Sequence, residues 1–270
     1  MGTSPKNQGQ ASLLSADLLK FYRRVSQSLL TVVDVETTGA LTHKARVIEV
    51  SVLQATLADG ITNQTTHLIN PMVKVPPFIT KITGITREMV GAAAPPETVW
   101  SDCEAQINQG VLTAHNLDFD YGFLQAEYKR IGSRFYRPAS HRFCTVLLSR
   151  LMLADLPSRS LPNLVKHYNF DVGPSHRAEA DTKACWLLAQ LLLSRIQQEP
   201  DEVLIELFGR QWIRLQGAAQ ILHCRQDQAQ IQLQALEQRY SKRSGQPLYR
   251  RGDVEQIYYA QIGEQLSVFS

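Results

Sequence analysis

The chain has 270 residues, of which 44% are hydrophobic and 20% charged, with a formal net charge of +3. That is enough apolar material for one large domain or a medium and a small one, and too little charge excess for a uniformly basic surface, so any anion-binding face must be local. Four dispersed cysteines, Cys103, Cys144, Cys185 and Cys224, argue against a zinc or disulfide framework, while the polar start and the lack of any run of ~18 apolar residues point away from export or membrane insertion and toward the cytoplasm.

Residues 1–27 read as an N-terminal extension, polar at first, with a short helix over Leu14–Val25 that gathers Leu18, Leu19 and Tyr22 on one side. A β-branched run, Leu29–Val35, predicts a strand ended by Thr37-Thr38-Gly39. Two further strands are predicted over Val47–Leu57 and Thr62–Ile69, joined at the hairpin signal Asp59-Gly60. The proline-bearing stretch from Pro71 to Thr86 reads as irregular. Then come a helix over Glu97–Asn108, a short buried strand Val111–Ala114, and a helix from Asp118 to Ile131 that Asn116 can cap. Helical patterns follow at Thr145–Ala154, Leu161–Tyr168 and Ala178–Ile196. Strands followed by interleaved helices indicate an α/β layer fold over residues 28–198. The pattern breaks near Gln198-Glu199-Pro200. Residues 199–263 read as a small, mainly helical, glutamine-rich domain, and residues 264–270 as a tail.

The chemistry concentrates in three places. Asp34 and Glu36 are two apart on a strand, so both carboxylates leave one face while Val33 and Val35 enter the core. Neighbouring acids at the end of a buried strand repel each other and are tolerated when a divalent cation lies between them. The pair alone also fits a solvated strand end. The second place is Ala114-His115-Asn116-Leu117-Asp118-Phe119-Asp120, where acids open a helix. Asp118 fits simple compensation of the helix dipole. The third is His176-Arg177-Ala178-Glu179-Ala180-Asp181, a helix start that follows the loop Gly173-Pro174-Ser175. Asp34, Glu36, Asp120 and Asp181 form an oxygen-only donor set on separate elements, which suits magnesium or manganese.

Taken together, Val33-Asp34-Val35-Glu36-Thr37-Thr38-Gly39, His115-Asn116 with Phe119-Asp120, and His176 five residues before Asp181 resemble the DEDDh exonucleases. That group includes the proofreading subunit of bacterial replicases, oligoribonuclease and ribonuclease T. Gly84-Ile85-Thr86 and Cys144-Thr145 are also similar, and the resemblance covers about Ser28 to Ile196. It implies a ribonuclease H-like mixed sheet flanked by helices and a 3′–5′ exonuclease using two Mg2+ or Mn2+ ions. Asp34 would bridge the ions, Glu36 and Asp181 would complete the first site, and Asp120 would support the second. His176 would be the general base, a role that an imidazole with an ordinary pKa near ~6.5 fits. Val35, Thr37, Thr38 and Gly39 would meet the terminal nucleotide and its 3′ hydroxyl, with His115, Asn116 and Phe119 as further contacts. Phe119 and Phe123 fit base stacking and ordinary helix packing equally.

The partner implied is a nucleic acid with a free 3′ end, single-stranded DNA being favoured, released as nucleoside 5′-monophosphates in replication or repair. RNA trimming, or a noncatalytic nucleic-acid-binding role on the same fold, are the alternatives.

The C-terminal residues from Trp212 to Tyr259 resemble an excisionase-type winged helix, although His223-Cys224-Arg225 stands where a glycine turn is expected. Arg239, Lys242, Arg243, Arg250 and Arg251 occur there without an intervening acid and suggest phosphate contact. The tail carries Gln265, Leu266 and Phe269, similar to the short peptide that docks bacterial DNA enzymes on a sliding clamp.

Overall fold

Leu18, Leu19, Tyr22 and Val25 recur at helical spacing, and α1 (Ser15–Val25) forms around that buried stripe. A computed structural model describes residues 14–242 and 244–268, with side chains through residue 263. The β-branched run becomes β1 (Leu30–Thr37), whose alternation holds Val33 and Val35 in the core and leaves Asp34 and Glu36 half-buried on the other face. β2 (Val47–Thr56) and β3 (Gly60–Leu68) form the expected hairpin. Gly60 takes φ 73° there, and Thr56 Oγ1 donates to Asp59 Oδ2 at 2.7 Å.

The stretch expected to be irregular instead holds a short helix, α2 (Pro77–Thr83), and a second, α3 (Arg87–Gly91), follows directly after it. Their causes are local. Pro77 suits a first helical turn, Gly84 ends α2 at φ 72°, and Thr86 Oγ1 caps α3 by accepting from Met89 N at 3.3 Å. After α4 (Pro96–Ile107) and β4 (Val111–Ala114) comes α5 (Leu117–Arg130). Asn116 precedes it in the left-handed region, φ 78°, and makes no side-chain cap. It is the asparagine carbonyl that accepts Phe119 N, at 2.9 Å. β5 (Arg142–Cys144), α6 (Thr145–Met152), α7 (Leu161–Tyr168) and α8 (Ala178–Gln198) follow.

The strands form one mixed sheet in the order β3-β2-β1-β4-β5, with β4 and β5 parallel to β1 and β2 antiparallel to it. This is the ribonuclease H-like layout. Val33 and Val35 share a core with Trp100, Cys103 and Ile107 of α4 and Phe123, Leu124 and Tyr128 of α5. On the opposite face, α8 is hydrogen-bonded to the hairpin: Thr182 Oγ1 lies 2.9 Å from Ser51 Oγ and 3.1 Å from Gln64 Nε2.

The chain divides into two compact units. The larger takes Arg24–Leu148 and Pro157–Gln197, and the smaller takes the described residues up to Arg23, Ser149–Leu156 and those from Gln198 onward. The smaller unit contains α9 (Asp201–Gly209), β6 (Trp212–Arg214), α10 (Leu215–Ile221), α11 (Gln226–Gln232), β7 (Gln238–Tyr240), β8 (Pro247–Arg250) and α12 (Arg251–Val268). Its strands pair antiparallel in the order β6-β8-β7, over a core that includes Ile213, Ala218, Leu222, Leu233, Tyr249 and Val254. His223, between α10 and α11, adopts φ 51°, the left-handed conformation that a glycine would take there.

α1 is integral to this unit. Tyr22 meets Phe208 edge-on, with ring centroids 6.2 Å apart. Ser15 donates from both N (2.8 Å) and Oγ (2.9 Å) to Glu255 Oε1 of α12. The same carboxylate oxygen accepts from Arg251 Nη1 at 3.3 Å, and Arg251 Nε donates to Gln211 Oε1 at 3.0 Å. Arg251 is only 2% exposed and therefore does not belong to the phosphate-contact surface suggested by the basic run. Of the tail, Gln265 and Leu266 lie in α12, where only backbone is described, and Phe269 lies outside the described residues. No helix among the described residues is long and apolar enough to cross a membrane.

Candidate active site

The site forms where β1 outruns β4. Their pairing ends at Val32–Thr113, because β4 stops at Ala114 and the chain turns into α5. Beyond that point Val35 N–H donates to Asp120 Oδ1 at 3.2 Å, so a side chain from the first turn of α5 replaces the missing strand partner. Asp120 is 3% exposed, and Asp118 points out into solvent. Asp34 and Glu36 emerge beside this position, and Asp181 arrives from the first turn of α8.

Burial chiefly, and then the carboxylates of Asp120, Asp181, Glu36 and Glu49, push the Asp34 carboxyl well above its ordinary range. Burial, followed by Asp181 and Glu49, raises Glu36 to about 7, with Arg177 opposing. Asp120 is also raised, mainly by burial, against the lowering effect of the backbone N–H groups it accepts from, and Asp181 is raised for the same reason. Four acids each disfavouring their neighbours' ionisation form a donor set that a divalent cation would relieve.

His176 is exposed, at φ 64°. Its backbone N–H donates to Asp181 Oδ2 at 2.9 Å. Ligand atoms of Glu36, His176 and Asp181 all lie within 4.8 Å of one another. The loop histidine and two of the acids therefore share one small volume.

The supporting residues include one that the sequence reading did not single out. Glu49 faces Glu36 across the β1–β2 ladder and is fully buried. It accepts from Arg177 Nη2 at 2.6 Å, from Arg177 Nε at 3.2 Å, and from Ala178 N at 2.9 Å. This carboxylate thus caps α8 and holds the residue between His176 and the helix. A charged residue in Val47-Ile48-Glu49-Val50-Ser51-Val52, a strand buried on both faces, was the available signal, since such a charge requires a partner. A second buried acid, Glu127 of α5, is held by Arg46 (Nε–Oε1 3.0 Å) and Arg130 (Nη1–Oε1 2.7 Å). Arg46 N in turn donates to Thr38 Oγ1 at 2.9 Å, which anchors the turn after β1.

Among the expected substrate contacts, Thr37 and Thr38 are nearly buried and line that turn, where Thr37 Oγ1 donates to Gly39 O at 2.8 Å. Val35 is corrected in part: its side chain is core and its N–H is engaged by Asp120, which leaves neither for a nucleotide. His115 is also committed internally, with Nδ1 2.9 Å from Thr145 Oγ1 and Nε2 2.9 Å from Arg159 O. Asn116 is exposed, while Phe119 is half-buried, packed on the core with its ring centroid 4.9 Å from that of Phe123.

The exonuclease family model RNase_T matches residues 31–188. The 3′–5′ exonuclease DinG of Bacillus subtilis is 29% identical over 184 residues, covering 68% of this chain and 19% of that protein. A PolC-type DNA polymerase III of Clostridium perfringens is 30% identical over 171 residues, covering 63% of this chain and 12% of the polymerase. The chain thus spans a fifth or less of these relatives, and the match with each is to one region of a longer protein. The fold is shared with exonuclease I of E. coli in complex with a dT13 oligonucleotide, at TM-score 0.57 and 18% identity over 64% of this chain and 42% of that one.

Proposed function

Since the chain belongs to the RNase_T exonuclease family, we propose that it hydrolyses phosphodiester bonds one nucleotide at a time from the 3′ end of DNA, preferring single strands and using two Mg2+ or Mn2+ ions. The observation that carries this reading is the convergence of Asp34, Glu36, Asp120 and Asp181 from three elements, each with a raised carboxyl pKa, beside an exposed histidine. Asp34 feels the charges of all three other acids, which supports it as the shared ligand, with Glu36 and Asp181 completing one site and Asp120 supporting the second.

Bound there, divalent cations would neutralise charge on the scissile phosphate and favour formation of a hydroxide nucleophile near neutral pH. The protein's own part is positional and basic. Asp181 grips the main chain of His176, so the imidazole can take the proton of the attacking water at a ring nitrogen. Glu49 and Arg177 fix the helix start that carries both residues. The anchored turn at Thr37–Gly39 offers a backbone surface for the terminal sugar. DNA is favoured because relatives of this region are named as a 3′–5′ exonuclease and a DNA polymerase.

The test is time-resolved digestion of 5′-labelled single- and double-stranded DNA and RNA with Mg2+, Mn2+ or chelator, comparing the native chain with Asp34→Asn. A ladder shortening from the 3′ end, fastest on single-stranded DNA and abolished by chelator or by the substitution, is expected. Undiminished cleavage by Asp34→Asn would overturn the site.

A further inference from the structure

The register of the small C-terminal sheet places Trp212 opposite Arg250, and Leu248 opposite both Arg214 and Arg239. Since residues two apart share a face, Trp212, Arg214, Arg239, Leu248 and Arg250 all lie on one side of the sheet. Their neighbours Ile213 and Tyr249 turn to the other side, into the core. The three arginines are exposed and Trp212 is half-buried. The guanidinium of Arg239 lies 4.5 Å from the indole centroid and that of Arg250 lies 5.5 Å from it, both within cation–π range. No acid occurs in Trp212–Arg214, Gln238–Tyr240 or Pro247–Arg250.

We propose that this sheet face binds the backbone of a single-stranded nucleic acid, separately from the acidic cluster. Three fixed positive charges with no acid in the strands complement a polyanion. An indole among guanidinium planes adds the stacking surface that single-strand binders combine with a basic track. Packing on the Trp212 ring restrains the Arg239 and Arg250 side chains, so part of their freedom is already lost before binding. The surface differs from the basic run visible in the sequence. It excludes the buried Arg251 and recruits Trp212 and Arg214, which are distant from that run along the chain.

Trp212 supplies its own probe. The other two tryptophans, Trp100 and Trp186, are 0% and 2% exposed and belong to the larger unit. In chelator, titrating the full chain with oligothymidylate should change tryptophan emission, and Trp212→Phe should remove that change. The double variant Arg239→Ala/Arg250→Ala should keep the native melting temperature and bind more weakly. Each phosphate contact on a single strand contributes ~0.7 to the slope of log affinity against log salt, so its slope should shrink by about 1.4.

An unaltered slope in this variant would overturn the proposal whether or not Trp212→Phe folds. An equal slope change on duplex DNA, or equal quenching by inorganic polyphosphate, would overturn the single-strand assignment. Because the binding is read in chelator, loss of hydrolysis in the separate digestion assay leaves this result independent of the exonuclease reading.

Discussion

His176 and Glu36 carry the sharpest expectations at the scale of the single residue. His176→Ala should cut turnover by roughly 10²–10⁴-fold, the usual worth of a general base, while leaving single-strand affinity within a few-fold. Single-turnover kinetics beside an equilibrium binding curve would check it, and lost affinity at intact turnover would make the histidine a contact. Burial, chiefly, raises the Glu36 carboxyl from the ordinary 4.5 to about 7. Between those pH values the folded chain holds a proton that the unfolded chain has released, so stability falls as pH rises through that window. In chelator the melting temperature should therefore decline from pH ~4.5 to ~7 at this site, and Asp34, Asp120 and Asp181 act in the same direction. Added Mg2+ favours the ionised acids, so its stabilisation should grow as pH rises. A Mg2+ effect independent of pH, measured by thermal melts across that range, would contradict the cluster's electrostatics.

Among the elements, α8 depends on a carboxylate from β2. Glu49 accepts from Arg177 and from the first helical N–H, and Glu49→Gln weakens both contacts without emptying the space. Residues that orient ligand-bearing groups typically cost 10–100-fold in activity or metal affinity when altered. A roughly 10-fold loss in kcat with a higher Mg2+ requirement is expected, checked by titrating the metal in the cleavage assay. The contrast between Glu49 and Asp34 shows what could be read in advance. Asp34 and Glu36 were legible because alternation on an obvious strand puts both carboxylates on one face. The importance of Asp120 and Asp181 came only from motif resemblance, since an acid in a first helical turn is ordinary. Glu49 was hidden because its partner, Arg177, lies far along the chain and only tertiary pairing joins them. The helix at Pro77–Thr83 escaped notice because prolines mark helix starts as well as loops, and Arg87–Gly91 because five residues are too few to show a helical period. Arg251 misled in the opposite sense, since a basic run looks solvated until one member is buried.

Over the whole molecule, the smaller unit joins α1 to α12, and Glu255 is the junction. It is 6% exposed and receives Ser15 and the buried Arg251. Glu255→Ala would strand Arg251 without its carboxylate, and breaking a pair this deep costs about 3–5 kcal/mol. The substitution should lower the denaturant midpoint of the smaller unit's transition, followed by far-UV circular dichroism. An unchanged midpoint would show that the pair contributes little. A break in pattern is what suggests a boundary near Gln198, whereas no pattern reveals the membership of α1, because nothing local ties Ser15 to a residue so remote in sequence.

That tie has a consequence for biosynthesis. A ribosome delivers α1 well before α12, so Leu18, Leu19 and Tyr22 wait, uncovered, while the chain between the two helices is made. The larger unit has all its segments once Gln197 has emerged. Until α12 emerges, α1 must be shielded by a chaperone or tolerated as a greasy segment, and a stop codon ahead of Glu255 would leave it permanently orphaned.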